Sequence, residues 1–148
     1  MMDQARRRLV WHGVFMFLLG LLMGTVTSMM ANPRMGLSAH VGTVVNAIFL
    51  IALGAAWDAA VLSPRAEQAG FWLLVFGSYG GSVGLLLAAT LGTHDSTPIH
   101  GAAQSADAWK ESLVNVGLTV PAIAMLVGTA VVLRGFGRGA GVSAAIRE

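Results

Sequence analysis

GLSAHVGTVVNAIFLIALGAAW, residues 36 to 57, is the stretch that decides the fold. It is apolar and long enough to cross a bilayer, since about 20 such residues span a roughly 30 Å hydrocarbon core. Yet it opens on His40 and carries Asn46 a turn and a half further in. An imidazole and a carboxamide are both costly in lipid, so each needs a structural partner or a chemical task. Six residues turn a straight helix by roughly 240°. His40 and Asn46 are therefore expected to line adjacent walls of one cavity rather than to stack in a column, with Gly42 between them permitting a local distortion.

Three more runs share this character. The apolar segments are 9–30, 37–62, 69–91 and 113–133, each with 20 or more largely uncharged residues. Asn32-Pro33-Arg34 and Ser63-Pro64-Arg65 break the first two junctions, and 92–111 (GTHDSTPIHGAAQSADAWKE) is the one long polar loop. Ser112 is the expected cap of the fourth helix. The first run follows Arg6, Arg7 and Arg8 but exceeds the apolar core of a signal peptide, roughly 7–15 residues. Continuous rather than alternating apolar runs argue against an outer-membrane barrel.

Composition agrees. The 148 residues are 55% hydrophobic and 11% charged, whereas a soluble domain carries about 25% charged residues. Too few charges remain to cover a water-facing surface. The expected fold is all-α, an integral membrane bundle of four transmembrane helices. It forms one domain over 1–136, followed by a flexible tail over 137–148. The net charge of +2 is too small to suggest nucleic acid as a partner. The absence of cysteine excludes disulfides, thiolate catalysis and Cys-based metal sites. Arg6, Arg7, Arg8, Arg65, Arg134, Arg138 and Arg147 lie on one side of a four-span topology, and Arg34 and Lys110 on the other. That asymmetry predicts both termini in the cytoplasm, with the protein in the inner membrane.

Few polar side chains fall inside the spans. His12 and Asp58 lie one turn inside the same ends of the first two helices and are expected to pair. Tyr79, the one tyrosine in the chain, sits at mid-span within Gly77-Ser78-Tyr79-Gly80-Gly81-Ser82 and needs a partner for its O–H. Asn115 reads as a capping or interfacial amide. Gly20/Gly24, Gly77/Gly81 and Gly80/Gly84 form GxxxG pairs that let backbones approach, or that leave room for a ligand or a neighbouring subunit. There is no HExxH zinc motif, no evident Ser–His–Asp set and no glutamate within the apolar runs. What is left suits a cofactor held by one histidine, or an apolar substrate entering from the bilayer. From the residues alone, His40 and Asn46 stay open between structural and functional roles.

The segments RRLVWHGVFMFLLGLLMG (7–24), NPRMGLSAHVGTVVNAIFLIALGAAW (32–57) and PIHGAAQ…AWKESLV (98–114) resemble the hydroxylaminobenzene mutases. These are four-span membrane isomerases that turn an aryl hydroxylamine into an ortho-aminophenol. The W-H-G start and the A-H-x(5)-N element also resemble the more distant styrene oxide isomerases. That resemblance implies a homotrimer carrying haem b. It makes His40 the axial ligand of the haem iron, and Asn46 and Tyr79 the catalytic groups that orient substrate. Gly80-Gly81-Ser82 departs from the bulkier residues expected after the tyrosine. The alternatives are an aryl epoxide isomerase of the same fold or a non-enzymatic membrane haem protein.

Overall fold

The computed structural model describes residues 2–101 and 104–145, with side chains over 4–101 and 104–139. Among the described residues there is no strand. Four helices follow one another: α1 (Met2–Val26), α2 (Pro33–Ala56), α3 (Pro64–Leu91) and α4 (Ala108–Ala145), with short 3-10 turns at Thr27–Met29 and Trp57–Ala59. All four are long and apolar enough to cross a membrane. Large apolar side chains such as Trp11, Leu126 and Leu133 stand more than 60% exposed on them. That exposure is tolerable only in lipid, so the chain is a multi-pass membrane protein.

The helices begin earlier than the apolar runs. Asn32 accepts the Met35 N–H at 3.1 Å as the cap of α2, and Pro33 follows in the first turn. Ser63 accepts the Ala66 N–H at 3.4 Å ahead of Pro64 in α3. The residues read as breakers are thus a cap plus a proline whose missing N–H costs nothing at a helix start. Helix α4 starts at Ala108, so Ser112 does not cap it. The Asp107 carbonyl accepts from Lys110 and Glu111 instead, and the Lys110 ammonium hydrogen-bonds the exposed Asp107 carboxylate, holding its pKa below the ordinary value. At the other end α4 is helical as far as Ala145, into the segment expected to be a tail; 146–148 lie outside the described residues. Gly92 closes α3 in the left-handed region at φ 64°, a conformation open to glycine without strain.

Contacts between α1 and α2 climb one helix as they descend the other. Gly13 meets Ala47 and Ile51, Gly20 meets Val44, and Gly24 meets the His40 ring. Helices α3 and α4 pair in the same antiparallel way, Gly77 lying against Pro121 and Met125 and Gly84 against Gly117. The two hairpins join through α2 and α3. With 44% of its span buried against 22–28% elsewhere, α3 is the central helix. One apolar core gathers Leu9, Leu50, Trp57, Phe71, Leu74 and Val132, and a second forms around Met35, Ala88, Ala89 and Val114 at the opposite end.

The loop before α4 is anchored rather than loose. Asn32 donates its amide to the His100 carbonyl at 2.8 Å, and its own N–H reaches the Ala89 carbonyl at 2.9 Å. The buried Glu111 carboxylate accepts the N–H groups of His94 and Asp95 at 3.0 and 3.1 Å. The longer helices also change one expectation. Glu67 and Glu111 now lie inside membrane-length helices, 8% and 7% exposed.

Candidate functional site

The His40 ring is wedged between α2 and α1. Its Nδ1 lies 2.7 Å from the Gly20 carbonyl oxygen. A carbonyl can only accept, so Nδ1 carries the proton and Nε2 keeps its lone pair. That is the arrangement in which protein imidazoles bind metals, the second nitrogen fixed by a backbone carbonyl. The seat depends on Gly24, where a Cβ would stand 2.9 Å from Nδ1 and 3.0 Å from Cε1 of the ring. The neighbouring Thr43 is buried and turned back on its own helix, donating to the Ala39 carbonyl at 2.7 Å.

Asn46 faces another wall, as helical spacing requires. Its Nδ2 makes a long 3.5 Å contact with the Ser78 carbonyl of α3. The Ser82 hydroxyl already donates to that carbonyl at 2.9 Å. A contact at the outer edge of hydrogen-bonding distance leaves the carboxamide weakly committed. Beside it the buried Ser78 hydroxyl has no partner. An interior with a loosely held amide and an orphaned hydroxyl is suited to a polar guest.

Tyr79 finds its partner on α1. Its hydroxyl lies 3.2 Å from His12 Nδ1, the two rings meeting edge to face with centroids 5.7 Å apart. His12 also packs against Trp11 and Phe71. The expected pairing of His12 with Asp58 does not form. Asp58 lies in the 3-10 turn after α2 and binds Arg6 at 2.9 Å, while His12 turns inward to the phenol. The interior therefore carries three polar stations rather than one cluster. His12–Tyr79 and His40–Gly20 are about 12 Å of helix rise apart along α1, with Asn46–Ser78 between them. Asn115 serves none of the three; it accepts from the exposed Thr119 one turn on at 3.1 Å.

Two features of the site were not read from the sequence. Gly24 is the seat of the imidazole, and its signal was only half of a GxxxG pair. Ser78 supplies the α3 wall, and a serine beside the one tyrosine was the available hint. Where the loop meets the start of α4, His94, Asp95 and Glu111 bring ligand-type atoms within 4.8 Å of one another. The Glu111 carboxylate there is already engaged by two backbone N–H groups, which marks it as a loop anchor.

Comparison with known proteins then adds what geometry alone does not. The profile described as styrene oxide isomerase matches residues 5–137. Hydroxylaminobenzene mutase HabB of Ectopseudomonas oleovorans is 40% identical over 130 residues, 87% of this chain and 79% of that protein. Hydroxylaminobenzene mutase HabA of the same organism is 36% identical over 98 residues, 59% of this chain and 73% of that protein. No solved structure matches the chain.

Proposed function

The chain belongs to the styrene oxide isomerase family and is an isomerase, and from that premise we propose that it rearranges aryl hydroxylamines to 2-aminophenols. The observation that carries this reading is the 40% identity to a hydroxylaminobenzene mutase over 130 residues. A match of that length in a chain of 148 residues must include His40, Asn46 and Tyr79.

His40 is the residue to hold haem b. Its Nε2 lone pair is set by the Gly20 carbonyl, and Gly24 gives the ring room. Bound there, a ferric haem would supply a Lewis acid for the oxygen of the N–OH group. The rearrangement is redox-neutral: the N–O bond breaks, a C–O bond forms at the ortho carbon, and the proton lost from that carbon returns the ring to aromaticity while nitrogen gains one. Asn46 donates its amide to the heteroatom and holds the ring so that the ortho carbon is the one within reach. Tyr79, its hydroxyl steadied by His12, is the further hydrogen-bonding group for a ring entering from the α3 side. Orientation of this kind supplies a large share of catalysis. Apolar walls exclude water, whose attack would give the para product instead. A neutral aromatic substrate partitions into the bilayer, which suits an enzyme whose polar stations lie between membrane helices.

About 12 Å of helix separates the His40 and Tyr79 stations, more than one small arene covers. A homotrimer is the assembly that the family resemblance implies for the chain. The arginine asymmetry favours the cytoplasmic membrane with both termini inside. The family profile itself favours a second reading, an aryl epoxide isomerized to its aldehyde. Phenylhydroxylamine and styrene oxide supplied in parallel to membranes containing the protein separate the two. The first reading expects 2-aminophenol from the former and little phenylacetaldehyde from the latter; the reverse result overturns it.

A further inference from the structure

A cavity lies between the first turns of α1 and α3, with Phe71 standing between it and His12. It encloses about 310 Å³, and Glu67, Arg8, Arg65, Phe71 and Trp72 are among its walls. Glu67 is 8% exposed, and its Oε1 is buried with no hydrogen-bond partner. Leaving a buried carboxylate oxygen unpartnered is costly, so the cavity calls for a ligand that brings an N–H or O–H donor. Arg8 lays its guanidinium 4.7 Å over the Phe71 ring and 5.4 Å from that of Trp72, which steadies a cation at the cavity wall. With Arg65 beside it, the same cavity also calls for an anion.

We propose that this cavity binds the headgroup of a phospholipid that joins a phosphate to a primary ammonium. The phosphate goes to Arg8 and Arg65, and the ammonium to the carboxylate of Glu67 where it lines the cavity. Both demands are met by one headgroup whose two charges are two carbons apart. A choline headgroup has the charges but no N–H to give. An aryl hydroxylamine has donors but no anion. Position favours a lipid over a soluble ligand. The cavity sits where the basic ends of α1 and α3 meet their apolar spans, and Trp72, half exposed, stands at its edge. Basic and aromatic side chains collect at that depth of a bilayer. The proposal is independent of which substrate the isomerase takes.

The test is native mass spectrometry of the full-length protein. It is equilibrated with nanodiscs containing equal phosphatidylethanolamine and phosphatidylcholine of the same acyl chains, then released and its retained lipid counted. The wild type should retain the ethanolamine lipid about tenfold over the choline lipid. Glu67→Gln should bring that ratio close to one, and Arg65→Gln should lower retention of both lipids. Equal retention by the wild type, or an unchanged preference in Glu67→Gln, overturns the proposal. Should Glu67→Gln fail to fold, the wild type decides it against mono-, di- and trimethylated headgroups, retention falling sharply only at the last. Displacement of the lipid by soluble phosphoethanolamine at an equal concentration would also contradict it, because the site would then not be a membrane one.

Discussion

The α1–α2 and α3–α4 interfaces look alike in sequence and do different work. Both carry glycines at four-residue spacing, and both bring two helices into close contact. On α3, Gly77 and Gly84 press against the backbone of α4, where a Cβ at Gly84 would stand 2.6 Å from the Gly117 oxygen. Pro121 cannot donate to that carbonyl, so the close approach of Gly84 packs against a group the helix leaves open. On α1, Gly24 faces an imidazole instead of a backbone. Glycines thus hold helices together in both hairpins, Gly13 standing against the Ala47 backbone as Gly84 does against Gly117, and on α1 Gly24 in addition seats the His40 ring. Gly81 meets nothing within 4 Å, so even within α3 the spacing does not say which glycine is used.

Substitutions should separate these roles. The largest effect belongs to Gly84→Leu, which would drive a side chain into the α4 backbone. Overpacking of this kind costs about 1–3 kcal/mol or more, and the expected outcome is loss of monodisperse, folded protein on size exclusion. Gly24→Ala should instead keep the fold and displace the His40 ring by tenths of an ångström. A turnover loss of about tenfold or more with unchanged circular dichroism is the expected pattern. Equal damage to stability in both variants would erase the distinction.

A smaller effect is expected from His12→Phe, which keeps an aromatic ring against Tyr79 but removes the hydrogen bond. It should lower stability by about 1 kcal/mol and reduce turnover severalfold, whereas Asp58→Asn should leave turnover near wild type. Smallest is Glu111→Gln, which weakens the charge-assisted bonds to the His94 and Asp95 amides. Hydrogen exchange over 93–97 should quicken while the spans stay protected; uniform quickening would mean that the loop anchor supports the whole bundle.

Much of the fold was legible because the bilayer imposes it. Apolar length gave four spans, and Asn-Pro and Ser-Pro marked where helices start. The starts themselves were placed four or five residues late, since the first turns of α2, α3 and α4 are polar and an apolar run does not count them. The same shortfall hid Glu67 and Glu111. The spacing of His40 and Asn46 set them on different faces of α2, and in the structure one reaches α1 and the other α3. Nothing in the sequence could pair His12 with Tyr79 rather than Asp58, because that choice depends on how α1 turns against α3. The carbonyl that fixes the His40 tautomer is likewise a backbone group, and no residue type announces it.

The central claim is that His40 presents Nε2 to a haem iron on which isomerase turnover depends. Its direct test is the absorption spectrum and phenylhydroxylamine turnover of purified wild type and His40→Ala. The wild type should show a Soret band and form 2-aminophenol, and the variant should lose both while remaining helical. A variant that keeps full haem and full turnover would contradict the account.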